Sequence, residues 1–160
     1  MSPERFIELV KAEQKSLRRF LLALCGGDSY EADDIAQDAL VRAYVASGSF
    51  LGLSKFSTWL FRIAYNCYLD RKRRSSPKTV HTDTAEALQV ISTDETDASF
   101  RYQQLYHALE KIPEKEKAAI VLHYFEDRSI KEIAAILQIP AGTVKYHLSS
   151  GRNHLKTILQ

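Results

Sequence analysis

Apolar residues in the first 74 positions recur every three or four residues, the spacing of one helix face. Phe6, Leu9, Val10, Leu17, Phe20, Leu21 and Leu24 form such a stripe, and Gly26-Gly27-Asp28-Ser29 stops it. A second helix is predicted to start near Tyr30–Asp33, with Ile35, Ala39, Leu40, Ala43 and Tyr44 on one face. Its first turn is acidic (Glu31, Asp33, Asp34), as the helix dipole favours. Ser47-Gly48-Ser49 ends it, and a loop containing Gly52 follows. A third helix is expected from about Ser57 to Arg74. It carries apolar Trp59, Leu60, Ile63, Ala64, Cys67 and Leu69, then a basic tail, Arg71-Lys72-Arg73-Arg74.

Between residues 75 and 98 the helical period disappears and Ser, Thr and Asp accumulate, which predicts a flexible linker with at most a short helical turn around Ala85–Ile91. Periodicity resumes near Ser99. Leu105, Leu109 and Ile112, then Ile120, Val121 and Phe125, then Ile133, Ala134 and Leu137, then Val144, Leu148, Leu155 and Ile158 predict about four short helices. No stretch reads as strand. The expected fold is all-α: two small helical domains, residues 1–75 and 99–160, joined by an acidic flexible linker over 76–98.

Composition sharpens this division. The 160 residues carry a net charge of only +2, but unevenly. Residues 1–80 hold 13 Lys and Arg against 9 Asp and Glu, and residues 99–160 hold 9 against 6. Residues 81–98 hold five acids (Asp83, Glu86, Asp94, Glu95, Asp97) and no base. Two basic modules flanking an acidic strip suggest two contacts with a polyanion. No apolar run approaches a membrane span and Met1–Arg5 lacks a signal-peptide core, so a cytoplasmic protein without membrane insertion is expected. Cys25 and Cys67 lie in apolar surroundings without C-x-x-C spacing and read as reduced, buried thiols. The five histidines form no zinc pattern, so neither a metal site nor a cofactor is expected.

The most specific local signal runs from Ser129 to Leu148. Ser129 and Glu132 form an S-x-x-E capping box that opens a helix, and Ile139-Pro140 forces a break before the next one. Small Ala134 allows close helix approach, and Ile133, Leu137, Ile139, Val144 and Leu148 occupy packing positions: a helix-turn-helix. On its second helix Val144, Leu148, Gly151, Leu155 and Ile158 face inward. The opposite side carries Lys145, Tyr146, Ser149, Arg152, Asn153 and Lys156, donors suited to phosphates and base edges in a major groove. The competing reading is a solvated amphipathic helix.

Two further signals are less specific. Phe56, Trp59, Phe61, Tyr65 and Tyr68 interleave with Lys55, Arg62 and the 71–74 cluster, which suits stacking on unpaired bases, although aromatics at helical spacing also build cores and Trp59 is expected there. Asp33-Asp34-Ile35-Ala36-Gln37-Asp38 invites a metal reading. Asp34 and Asp38 share a face but no third ligand type accompanies them, so a protein-docking surface fits better.

Taken together, residues 31–44 (EADDIAQDALVRAY), residues 56–66 (FSTWLFRIAYN), and Glu132-Ile133-Ala134 with Gly142-Thr143-Val144-Lys145 resemble, in order, the extracytoplasmic-function sigma factors of bacterial RNA polymerase. The resemblance implies that Asp34, Gln37 and Asp38 dock on the polymerase β′ clamp helices. It implies that the loop from Ser49 to Thr58, with Phe56 and Asn66, captures an unpaired −10 base while Arg62, Arg71, Lys72, Arg73 and Arg74 hold the backbone. Thr143, Lys145, Tyr146, Ser149, Ser150 and Arg152 would meet the −35 element. Core RNA polymerase (including the β flap), promoter DNA and an anti-sigma factor are the implied partners, and the linker would thread toward the RNA exit channel. The chain departs from the family where arginine is common and His147 and Ser150 stand instead.

The implied mechanism is physical rather than covalent, so no enzymatic activity is expected. Duplex contact at −35 and capture of unstacked −10 bases combine through polymerase, and neither module alone need bind tightly. The alternatives are a stand-alone helix-turn-helix regulator whose N-terminal block serves dimerisation or sensing, and a Mg²⁺-dependent nucleic-acid enzyme using Asp33, Asp34 and Asp38.

Overall fold

A computed structural model describes residues 1–74 and 96–160, with side chains of the second segment from Tyr102 onward. Helix α1 spans Pro3–Leu24; the Ser2 hydroxyl accepts from the Arg5 amide and Pro3 fills the first turn, where its missing N–H costs nothing. Helix α2 spans Ser29–Val45 and begins slightly earlier than the apolar pattern indicates, because the Asp28 carboxylate captures the Glu31 amide as its N-cap. Helix α3 spans Phe56–Arg74. The second segment opens with α4 (Thr96–Glu110), then α5 (Glu114–Ile120), which widens into a π-turn over Val121–Phe125. Helices α6 (Ile130–Leu137) and α7 (Ala141–Leu159) complete it. The helical turn expected around Ala85–Ile91 and most of the expected linker lie outside the described residues.

The first three helices bury their predicted stripes. Leu17, Phe20, Leu21 and Leu24 of α1 meet Ile35, Ala39 and Ala43 of α2 and Leu60, Phe61 and Ala64 of α3. The Phe20 and Phe61 rings stack 5.2 Å apart. Two aromatics expected on the packed side are less buried than that stripe. Tyr44 is 51% exposed and meets the Phe6 ring edge-on. Trp59 is half-buried, at the rim of a cluster with Phe50 and Phe56.

The helix-turn-helix forms as its sequence dictates. Ser129 and Glu132 make both reciprocal capping bonds. Gln138 ends α6 in the left-handed region at φ 57°, a place where glycine is more usual, and Pro140 stands as the N-cap of α7. Ile133, Ile136, Leu137, Val144 and Leu148 are buried at the packing positions. Gly151 lets α7 lie close to α5: a Cβ there would stand 3.0 Å from Ile120 Cγ1.

The two modules do not stand apart. One apolar core continues from α1–α3 into Leu109, Ile112, Ala118–Leu122 and the helix-turn-helix. Polar contacts also seal the join, with Lys117, Arg128 and Glu126 the most buried of them. Lys117, 1% exposed, sends its ammonium to the Leu24 carbonyl (2.8 Å), the Tyr68 oxygen (2.9 Å) and Glu110 (3.0 Å). Its three donors are thereby satisfied, which is what makes a buried ammonium tolerable. Arg128 lies 4.7 Å above the Phe61 ring, donates to Ser57 Oγ (3.0 Å) and pairs with Glu13 (3.5 Å). Glu126, its carboxylate wholly buried, accepts from Ser16 and twice from Arg19. No helix among the described residues is long and apolar enough to cross a membrane.

Candidate polymerase and nucleic-acid interfaces

On α2, the residues that pack on α1 and α3 are spaced so that Asp34, Gln37 and Asp38 all face solvent. Asp34 is held by Arg71 of α3 at 3.1 Å, an exposed pair worth at most about 1 kcal/mol. Val41 and Val45, 64% and 80% exposed, continue the line of Asp34 and Asp38 at helical spacing. An acidic face that ends in bare valines offers a protein both charge and apolar area. Sequence reasoning passed over the valines because an exposed apolar residue carries no periodic signature of its own.

Helix α3 distributes its expected DNA residues unevenly. Phe56 is 8% exposed and its ring is enclosed by Phe6, Phe50 and Trp59, so it offers no face to a base and serves packing. Ser57 and Thr58 are buried as well. Asn66 is exposed. The loop before α3 instead presents Leu51 and Leu53, 77% and 90% exposed around Gly52 at φ 73°.

Most cations of α3 have carboxylate or carbonyl partners, Arg74 being the exception among the described residues. Arg62 donates to the Ala135 carbonyl at 3.1 Å, one of the last-turn carbonyls of α6 that lack an intrahelical partner. Lys72 donates to Glu114 at 2.7 Å, Arg73 pairs with Asp70, and Asp70 also accepts from Arg42 at 3.0 Å. Lys55, in the loop, lies 3.4 Å from Glu132. Burial works against the Glu114 charge, but Lys117 and the bonds from Lys72 and Tyr68 outweigh it and hold the carboxyl below its usual range. Burial, then Glu114 itself, pushes the Tyr68 phenol up, so it stays protonated and donates to Glu114 at 2.5 Å. The bond from the Ser129 amide, and then Lys55, hold Glu132 low.

Helix α7 is the more open of the two. Lys145, Tyr146, Ser149, Arg152, Asn153 and Lys156 are exposed, and Thr143 is half-buried near the helix start. Arg152 donates to the Tyr124 hydroxyl at 3.1 Å. Ser150 does not join this face: its hydroxyl donates to Glu116 of α5 at 3.0 Å, beside His154 at 2.7 Å from the same carboxyl group. His147 lies on the same inward stripe, its Nδ1 buried without a hydrogen-bond partner among the described residues. Neither family departure joins the exposed face: Ser150 is bonded to α5 and His147 is half-buried. Sequence reasoning also missed Lys117, Glu126 and Arg128. The pair of charges flanking Asp127 (φ 54°) was the available hint.

The α-helical chain combines an exposed acidic helix face, an aromatic–basic helix and a helix-turn-helix, features of a protein that meets nucleic acid. Comparison with known proteins agrees. Residues 9–77 match the family described as Sigma-70 region 2, and residues 102–155 match Sigma-70, region 4. The chain is 37% identical over 147 residues to the ECF RNA polymerase sigma factor SigW of Bacillus subtilis, covering 84% of this chain and 78% of that one. It is 33% identical over 145 residues to the ECF RNA polymerase sigma-E factor of Escherichia coli K12, covering 82% and 75%. Among solved structures, the sigma factor RpoE in complex with the anti-sigma factor NepR from Bartonella quintana superposes with a TM-score of 0.79 at 25% identity, over 98% of this chain and 97% of that one. CnrH, in complex with the cytosolic domain of CnrY, shares the fold at a TM-score of 0.76 and 23% identity, over 99% and 89%. The chain belongs to the extracytoplasmic-function sigma factors, which recognise promoters for bacterial RNA polymerase. Its two matched regions leave the stand-alone regulator without support.

Proposed function

We propose that residues 1–75 dock on polymerase and read the −10 element, that residues 99–160 read the −35 element, and that residues 76–98 connect them. Asp34, Gln37 and Asp38 meet the β′ clamp helices, with Val41 and Val45 extending the contact. Arg62, Asn66 and the 71–74 cluster hold the melted −10 strand, while the Ser49–Thr58 loop, through Leu51 and Leu53 rather than Phe56, supports the captured base. Thr143, Lys145, Tyr146, Ser149 and Arg152 meet the −35 duplex, with affinity mostly from phosphates and selectivity from a few base edges. The action is binding and deformation without covalent chemistry, in the cytoplasm. An anti-sigma factor holds the chain inactive, as the structural neighbours caught with NepR and CnrY suggest.

The single observation that carries the docking assignment is the solvent-facing line Asp34, Gln37, Asp38, opposite the face that Ala32, Ile35, Ala39 and Ala43 bury. Co-purification with core RNA polymerase tests it. Asp34→Ala/Gln37→Ala/Asp38→Ala should abolish binding while leaving helix content intact; retention at wild-type level would move the docking site elsewhere.

A further inference from the structure

The exposed cations of α7 share one side of the helix. At 3.6 residues per turn, Lys145, Ser149, Arg152 and Lys156 fall within about 60° of one another around its axis. Arg152 is held from outside α7. Helix α5 widens into the π-turn Val121–Phe125, where the Glu126 amide donates to the Val121 carbonyl at 3.2 Å. Such turns shift the register of a helix and often stand at functional sites. Here Val121 and Leu122 stay buried while Tyr124 is 54% exposed, its ring edge-on to His123 at 4.8 Å. The Tyr124 hydroxyl accepts from Arg152 at 3.1 Å. That bond uses one of the five guanidinium donors. It leaves the phenol's own hydrogen without an acceptor among the described residues.

We propose that Tyr124 and Arg152 together clamp one backbone phosphate of the −35 duplex. The guanidinium and the phenol both donate to its oxygens, and Tyr124 fixes the arginine before DNA arrives. This rests on the −35 assignment of α7. The second helix of a helix-turn-helix meets base edges with its N-terminal residues. Lys145 and Tyr146 stand at that end, whereas Arg152 lies two turns further on, about 10 Å along the axis. It therefore falls at the phosphate wall of the groove. A phosphate suits the pair because it supplies the opposite charge and several acceptor oxygens for adjacent donors. The rotamer freedom that a loose arginine gives up on binding is already given up on folding. The contact carries no sequence information; it sets the register in which Lys145, Tyr146 and Ser149 enter the groove.

The full chain is titrated into a labelled random duplex of about 20 base pairs, whose phosphates bind independently of sequence, and anisotropy is read across a range of salt. Arg152→Ala should weaken binding about tenfold and lower the salt slope by about one unit. Tyr124→Phe keeps the ring. It should weaken binding about fivefold and leave the slope unchanged, because no charge is removed. In the double variant the losses should not multiply: it should bind within about twofold of Arg152→Ala alone. A packing role for Tyr124 would weaken binding equally in both backgrounds. That result, or wild-type affinity in Tyr124→Phe, would overturn the proposal. Lys145→Ala in the same titration separates the clamp from the assignment beneath it. A lowered slope there, with Tyr124→Phe unchanged, means that α7 meets DNA and the clamp alone has failed. If neither Lys145→Ala nor Arg152→Ala lowers the slope, the −35 assignment itself falls.

Discussion

Helices α3 and α7 are each 19 residues long and each is assigned to DNA, yet the fold treats them oppositely. Helix α3 buries nine of its residues, including Phe61, Tyr65 and Tyr68, and is covered further by α6. Helix α7 buries only Val144, Leu148 and Gly151 and leaves a continuous polar face in solvent. A helix that reads duplex can be peripheral, because the groove comes to it. A helix that traps unstacked bases needs a rigid aromatic scaffold behind it, and its cations are confined to the edges, where a neighbouring module can reach them.

The largest test of this contrast is at the join. Lys117→Ala removes the charge that Glu114, Tyr68 and Leu24 surround, and breaking such a buried pair costs about 3–5 kcal/mol. Thermal unfolding should show this loss. A change below about 1 kcal/mol would mean the join contributes little and α3 is not truly covered.

A smaller effect follows from pH. The Glu114 carboxyl sits below its usual range in the folded chain, so its contribution is fully present above about 4.3, the unfolded value, and is lost as pH falls through the lowered folded value. Scattering during acidification should show opening in that window, with a shallower response in Glu114→Gln. Equal responses would assign the acid transition to other carboxylates.

The smallest effect belongs to the open helix. Lys145→Ala should leave stability unchanged and lower the salt dependence of −35 duplex binding by about one unit of slope. An unchanged slope would take Lys145 off the phosphate backbone.

The same contrast explains what could be read from the chain beforehand. The capping box, the Ile139-Pro140 break and the exposed face of α7 are local, and periodicity over twenty residues suffices to place them. Phe56 and Trp59 could not be sorted by period alone: both are aromatic, three residues apart and packed on Phe50, but Phe56 is also met by Phe6 and is the more buried. Ser150 was placed with the DNA face because its partner, Glu116, lies 34 residues away on α5. The join was invisible for the same reason. Lys117 reaches Leu24 across 93 positions and Arg128 reaches Ser57 across 71, and no pattern within either module announces the other.

The covered state can be watched directly. Burial pushes both native thiols up, and Cys67 is enclosed, so maleimide dyes will favour cysteines introduced at exposed positions such as Lys11 and Lys156. Energy transfer between dyes at Lys11→Cys and Lys156→Cys should be high in the free chain and should fall when core RNA polymerase is added. Low transfer before polymerase, or high transfer that persists in the active holoenzyme, would contradict a −10 helix that is covered until polymerase opens it.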